Sequence, residues 1–525
     1  MSLNLVRDRW LPAVLESGQV ERIAPWEIAR ADDPPVNLAP PRHDFRLALF
    51  EFLIGLVQTA CPPKNGTKRE QWYDAPPSPE TLREAMEPYA SFFNLLGERP
   101  LFQQDLTLDP KEHARSAIPI GALLINYPGD GSLDFFVKRD IGVMCPICAA
   151  MALQTMQAFA PSGGRGNRTS LRGGGPLSTI ILGDDLWRTV WPNVLPLNAR
   201  DVEAAPIAAE LPGKVFPWAA PTRTSENGEV FRRADGHFLH HFWGMPRRFL
   251  LLPEEEHCRC ELCGDESEIA IRKLIQRPSG YNYGEDWKHP LTPYNRKKTD
   301  QHPFPIHGKP YATAYTNWLP LVYGDSSGLA EPARCVQAAR EDDPDIANEY
   351  RLLAGGYDMD NMKARGWCEG SFPILPLGGD AVQTFRTEVE ALVKAASMVR
   401  DNLTRAIRSA VVHTSNPARS KAFSSSFFAD LSASFWADTR AAFFLAAEDL
   451  AKVVQTEASD AEVKQTWARA LWQEADELFM RVAGPELTHP DHARRASRAF
   501  NEMRKLNQGV YKKYLGGAIT TKEAA

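Results

Sequence analysis

Residues 372–413 read FPILPLGGD and then AVQTFRTEVEALVKAASMVRDNLTRAIRSAVVH, and the chain changes character between the two parts. Pro373, Pro376, Gly378 and Gly379 punctuate the first part as a boundary would. In the second, Val382, Phe385, Val389, Leu392, Ala396, Val399, Leu403, Ile407 and Val411 recur at helical spacing. Three more helical stretches are expected near 427–454, 459–483 and 490–515, separated by HTSNPARS, TEASDAE and AGPELTHPD. Amphipathic helices joined in this way predict an all-α, antiparallel four-helix bundle over 380–515. Residues 516–525 are expected to be a flexible tail.

Before the boundary, residues 1–376 predict a large mixed α+β domain. HDFRLALFEFLIGLVQTA (His43–Ala60) carries apolar residues on nearly every face, so a core helix is expected. A second helix is expected over 78–96, opened by Ser78 as cap. A third covers 149–159. GALLINYP, DFFVKR, LSTIIL and RRFLLL read as short strands.

The chain has 525 residues, 43% hydrophobic and 24% charged, with a net charge of −6, which excludes a disordered polymer and a uniformly basic nucleic-acid binder. A local basic surface remains open. No apolar run reaches the roughly 18 residues of a membrane span, and the first residues lack the pattern of a secretory signal. No membrane partner and a cytoplasmic location are expected.

The eight cysteines are too few for a disulfide scaffold of this length, and their spacing points to metal. Cys145-Pro-Ile-Cys148 and Cys260-Glu-Leu-Cys263 are two knuckles that could offer four thiolates to one zinc ion. Such a closed site would be structural. His257 and Cys258 are alternative ligands beside the second knuckle.

Four other stretches carry polar chemistry. Residues 161–183 are rich in glycine, hold Arg165, Arg168 and Arg172, and suit contact with a phosphate backbone. Residues 272–298 interleave Arg272, Lys273, Arg277, Lys288, Arg296, Lys297 and Lys298 with Tyr281, Tyr283 and Trp287, a pattern fit for nucleic acid. GGYDMDNMKARGW (355–367) predicts a tight, glycine-hinged loop exposing Asn361, Met362 and Lys363, able to wedge a base step. The last helix places Arg494, Arg498, Lys505 and Lys512 off its apolar stripe. His240 and His241 sit among apolar residues and read as packing groups. No motif assembles a catalytic set.

Taken in order, FNLLGERPLFQQ, DFFVKRD with CPIC, APSGGRGNRTSLRGGGP, ELCG with RPSGYNY, GGYDMDNMKARGW and the helical C-terminal region resemble the CasA family. That family supplies the large subunit of the type I-E CRISPR surveillance complex Cascade. The resemblance implies a non-catalytic subunit that recognises the PAM, a short motif in double-stranded DNA, from the minor groove while the guide RNA reads the target. It implies a glycine loop at Ser162, Gly163, Gly164, Arg165 and Gly166, with Arg168 beside it. It places a basic finger at Arg277, with Lys273 as fallback. A wedge that starts the R-loop falls at Asp360, Asn361, Met362 and Lys363. Phe136, Val137, Lys138 and Arg139 would dock onto the 5′ end of the guide RNA complex. Cys145, Cys148, Cys260 and Cys263 would hold structural Zn2+. The implied partners are other Cascade subunits, guide RNA, duplex target DNA with its displaced strand, and a helicase-nuclease recruited to a platform. A zinc-dependent nuclease or hydrolase and a pure scaffold are the alternatives.

Overall fold

Every residue from Leu47 to Thr59 of the helix His43–Ala60 is buried, so the helix is wrapped on all sides. The computed structural model describes residues 2–126, 141–164, 166–299, 301–309, 314–342, 350–375, 377–379, 381–411, 425–488, 490 and 492–517. Phe52 on this helix meets the rings of Trp10, Phe93, Phe102 and Trp243 edge-on, with centroids 5.4 to 6.1 Å away. Two of its buried polar side chains, Gln58 and Glu51, are both satisfied. Gln58 exchanges hydrogen bonds with the main chain of Leu195, and Glu51 receives a two-pronged ion pair from Arg172.

Several small sheets accompany this helix. In one, Ala270–Arg277 lies between Ala117–Pro119 and Arg248–Glu254, antiparallel to both. In another, Arg351–Asp360 lies between Lys363–Pro373 and Ser178–Leu182. A two-stranded hairpin pairs Cys258–Arg259 with Glu266–Ser267.

Three local expectations are corrected. The helix expected over 78–96 is α-helical only over Pro79–Met86, then a 3-10 turn over Glu87–Phe92, then extended at Asn94–Leu96. Ser78 caps it as expected, accepting from Thr81 N–H at 3.2 Å, but Pro88 has no N–H with which to continue the ladder. The apolar run after Ile120, read as a strand, begins as a 3-10 turn over Ile120–Leu123. Short apolar runs do not distinguish the two by pattern. The single helix expected near 427–454 is two, Ser425–Asp438 and Arg440–Gln455. Thr439 stands between them and donates its hydroxyl to Phe435 O at 2.6 Å.

The chain divides into two compact units. One comprises Met1–Ala312 and Pro332–Phe372, the other Thr313–Glu331 and Pro373–Ala525. Thr313–Glu331 therefore belongs with the C-terminal helices, which its position in the sequence did not suggest. Within the second unit Tyr315 stacks on Phe443 at 4.2 Å and its hydroxyl bonds Thr439 Oγ1 at 2.9 Å. The long helix Ala381–Val411 is tied to Ala461–Thr488 by Trp467 Nε1–H donating to Leu392 O at 3.1 Å. A bond of 2.9 Å between Asn402 and Asn507 ties it to Ala493–Tyr514. Among the described residues, no helix is long and apolar enough to cross a membrane.

Candidate nucleic-acid interface and metal centre

Three segments far apart in sequence meet at the glycine-rich stretch. The stretch turns back on itself, with Asn167 N–H donating to Gly164 O at 3.1 Å and Asn167 Nδ2 to Gly163 O at 2.8 Å. Gly164 and Gly166 sit at φ of +79° and +80°, the left-handed region that glycine enters without strain. A β-carbon on Gly166 would lie 2.7 Å from Pro278 Cβ, the residue just after the strand Ala270–Arg277. Ser279 N–H donates to Gly166 O at 2.6 Å, and Gln276 Nε2 to Asn167 Oδ1 at 3.1 Å. The turn is thus clamped onto the end of the basic strand.

Arg277, the last residue of that strand, is exposed and engages no ion pair among the described residues. Lys273 is exposed on the same strand, about 13 Å back at the usual rise per residue. It pairs in the ladder with Pro119 and Leu252, and among the described residues no hydrogen bond or ion pair ties it to the glycine turn.

The third segment is the connection between Arg351–Asp360 and Lys363–Pro373. It is a hairpin tip rather than a hinged loop. Asp360, Asn361, Met362 and Lys363 are all exposed, Met362 by 49%. Asn361 takes φ of +56°, a conformation its short polar side chain tolerates. Just below the tip, Arg365 donates twice to the buried carboxylate of Asp358, at 2.8 and 2.9 Å. Gly355 and Gly356 are not hinges. A β-carbon on Gly355 would stand 3.0 Å from Leu47, and one on Gly356 2.5 Å from Pro176 O, so both allow the strand to lie close to its neighbours. A β-carbon on Gly164 would lie 3.8 Å from Met362 Sδ, which brings the tip beside the turn.

Other sequence expectations are corrected here. Arg172 does not face a phosphate: it is buried against Glu51, with further bonds to Ser178 Oγ at 2.6 Å and Ala158 O at 2.9 Å. Arg168 donates through Nε and Nη2 to Ser225 Oγ and O, both at 2.9 Å, so it braces the turn from the side. Tyr281, Tyr283 and Trp287 do not offer stacking faces. They form a ring cluster with Phe231 and His240, and Tyr283 Oη bonds His240 Nε2 at 2.7 Å. Burial pushes His240 and His241 down to about 3, so both are neutral packing groups at physiological pH. Arg165 and the docking residues Phe136, Val137, Lys138 and Arg139 lie outside the described residues.

The four knuckle cysteines converge. Sγ atoms of Cys145, Cys148, Cys260 and Cys263 all lie within 4.8 Å of one another. Cys145 caps the helix Pro146–Phe159, and its sulfur accepts Cys148 N–H at 3.4 Å. Cys260 opens the second knuckle, where Gly264 N–H returns to Cys260 O at 2.9 Å and Gly264 takes φ of +82°. Cys145 and Cys263 sulfurs are 3.9 Å apart, against about 3.8 Å for two thiolates of a tetrahedral ion with bonds near 2.3 Å. The donor set therefore fits a four-coordinate metal. Hydrogen bonds from Cys145 and Cys148 pull the Cys260 thiol well below its ordinary range, while Cys145, Cys260 and Cys263 push Cys148 well above it. The sulfurs cannot all ionise together without a cation. Cys258 stands apart: it packs with Val143 and Ala270, and its sulfur faces Ile269 O. His257 turns instead to Glu266 and Glu268, 3.2 Å from each.

A family model described as CRISPR-associated protein Cse1 matches residues 4–478. The chain belongs to the Cse1 family. The Cse1 fold is also evident in solved structures. Cse1 from Acidimicrobium ferrooxidans superposes with a TM-score of 0.71 at 15% identity, over 98% of this chain and 99% of that one. CasA of Thermus thermophilus does so at 0.69 and 17%, over 98% and 100%. A chain of a structure titled CRISPR RNA-guided surveillance complex gives 0.68 and 15%, over 96% and 99%.

Within this Cse1 chain, two residues at the turn escaped the sequence reading. Asn167 lies in the quoted motif but had no signal separating it from a surface polar group. Arg247 lies some eighty positions away in sequence, and only the fold brings it under the turn. On the last helix, Arg494, Arg498, Lys505 and Lys512 are exposed. Arg494, Arg498 and Lys505 line one shallow groove with Glu502 and Leu506.

Proposed function

We propose that the chain is the large, non-catalytic subunit of a type I-E CRISPR surveillance complex, and that it reads the PAM of duplex DNA from the minor groove. One observation carries the reading: the glycine turn, the free end of the basic strand and the apolar hairpin tip are gathered at one place. A turn of glycines leaves room for a sugar-phosphate backbone to approach closely. Arg277 reaches out from its edge as the cation for a narrow, electronegative groove. Met362 is the wedge that unstacks the first base step, with Asn361 and Lys363 beside it for polar contacts. Asp360 flanks the tip, Ser162, Gly163, Gly164 and Gly166 form the turn that Arg168 braces, and Arg165 of the same motif is assigned to the DNA contact. The minor groove presents few distinguishing groups, so several related PAM sequences are tolerated. Opening the first pairs lets the guide RNA begin the R-loop.

The remaining assignments belong to the same proposal. Cys145, Cys148, Cys260 and Cys263 hold structural zinc, clasping segments more than a hundred residues apart in sequence. Four thiolates leave no open coordination position, which favours this role over a zinc-dependent nuclease. Phe136, Val137, Lys138 and Arg139 dock the subunit to the 5′ end of the guide RNA complex. The C-terminal helices form a four-helix bundle with one arm broken at Thr439. It contacts neighbouring subunits and the displaced strand and helps recruit the helicase-nuclease.

The test is duplex binding by the complex reconstituted with and without this chain, at fixed salt, on targets differing only in the PAM. PAM-dependent binding that needs the chain is the expected result. Binding unchanged by its removal, or blind to the PAM, would leave a scaffold role and overturn the recognition reading.

A further inference from the structure

Arg247 is a buried cation without a counter-ion. It is 6% exposed, and no carboxylate pairs with it among the described residues. Its neighbour Arg248 presents the contrast, with Asp105 bound at 2.5 Å. Nη2 of Arg247 donates to Pro161 O at 2.5 Å, while Nε is buried with no hydrogen-bond partner. Its main chain is fixed on both sides by Gln157, whose Oε1 accepts Arg247 N–H at 3.1 Å and whose Nε2 donates to Arg247 O at 3.0 Å. The guanidinium lies directly against the turn: a β-carbon on Gly163 would come within 2.6 Å of Nη1 and 2.8 Å of Nη2.

Buried charges are almost always paired, because an isolated one loses its hydration and regains nothing. Burial pushes Arg247 down only to about 10, so the charge persists at neutral pH. An uncompensated cation held under a loop with no side chain of its own at Gly163 or Gly164 projects a positive field through that loop. It does so without an exposed side chain that solvent or a competing anion could easily neutralise. Such a cost is retained where something outside the chain offsets it.

We propose that Arg247 is the buried counter-charge for a DNA phosphate laid on the turn at Gly163 and Gly164. The inference rests on the PAM-reading site above and deepens it, adding a residue that never needs to reach the groove itself. Gly163 then has a second role, since any larger residue there would displace the guanidinium.

The experiment uses the reconstituted complex carrying Arg247→Met, Arg247→Lys or wild-type chain, with Arg277→Ala and Gly166→Ala as site controls. Affinity for a PAM-bearing duplex is measured across a salt series, and thermal melting of each chain is recorded. Arg247→Met is expected to bind roughly tenfold or more weakly at low salt, with the slope of log affinity against log salt reduced by about one phosphate's worth. Its melting temperature is expected to stay level or rise, because an unpaired buried charge has been removed. Arg247→Lys, which keeps the charge, should recover most of the affinity. The proposal is overturned if Arg247→Met binds like wild type while the two controls bind weakly. It is equally overturned if Arg247→Lys is as poor as Arg247→Met, since the side chain would then act by shape alone. If the controls also bind like wild type, it is the site reading itself that fails.

Discussion

Replacing Gly166 by alanine tests whether the glycine turn must keep its observed shape. At φ of +80° an alanine carries a left-handed penalty of roughly 1–2 kcal/mol. Its β-carbon would also meet Pro278 Cβ at 2.7 Å, well inside a normal carbon contact, and such overpacking costs about 1–3 kcal/mol. The turn can escape by breaking the bond from Ser279 N–H to Gly166 O, at about 1 kcal/mol, and drifting off the strand end. The observed geometry then lies about 1–4 kcal/mol above the relaxed one, and DNA must restore it on binding. At tenfold per 1.4 kcal/mol this predicts roughly 5- to 700-fold weaker binding to a PAM-bearing duplex. Gly164→Ala supplies the internal comparison. It has the same kind of φ but only an ordinary contact with Met362, so its intrinsic cost is the roughly 1–2 kcal/mol of strain. The assay is equilibrium binding by the reconstituted complex at fixed salt, with melting of the free chain as a check on folding. A folded Gly166→Ala chain that binds within threefold of wild type would refute the argument that this turn, clamped on Pro278 and Ser279, is the recognition element.

Three other outcomes are expected. Purified chain should contain one zinc per molecule by elemental analysis; Cys148→Ala or Cys263→Ser should lose it and melt earlier, whereas Cys258→Ala should keep it. Arg172→Met should destabilise the chain by about 3–5 kcal/mol in calorimetry or denaturant unfolding, because it leaves Glu51 charged and buried; adding Glu51→Gln should restore much of the loss. A single variant that unfolds like wild type would show that the pair is not structural. In the C-terminal unit, burial, and then Asp438 and Glu477, push the Glu474 carboxyl from 4.5 up to about 7. The folded state therefore favours the protonated form, and its stabilising effect is full below pH 4.5 and lost as pH rises through 7. The unfolding midpoint of that unit should fall over this window, and Glu474→Gln should flatten the fall.

Local signals were legible where one short segment contains the whole physical cause. The all-round apolar pattern of His43–Ala60 predicts a wrapped helix, and every residue from Leu47 to Thr59 is buried. Ser78 is a cap by its own hydroxyl, and each C-x-x-C knuckle is built by its own turn. The periodicity of Ala381–Val411 gives a long helix because a stripe every three to four residues has only one regular structure that buries it. Where the pattern was shared between outcomes, sequence alone misled. Tyr281, Tyr283 and Trp287 have the composition of a nucleic-acid surface, yet they close a core around Phe231 and His240. Arg172 has the composition of a phosphate clamp, yet Glu51 from the central helix occupies it.

The residue types able to do the chemistry can be read directly from the chain: four thiols in two knuckles, a glycine-rich stretch, a run of basic residues around Arg277 and an exposed Met362. Each is encoded within a few neighbouring residues, so composition and spacing suffice. Which of them meet is a matter of long-range packing. Folding sets Gly166 against Pro278, Gly164 beside Met362 and Cys145 3.9 Å from Cys263, and it slides an unpaired Arg247 beneath Gly163. Those contacts join segments from about eighty to two hundred positions apart. They depend on how the strand Ala270–Arg277 and the hairpin ending at Met362 are packed, which no local pattern specifies.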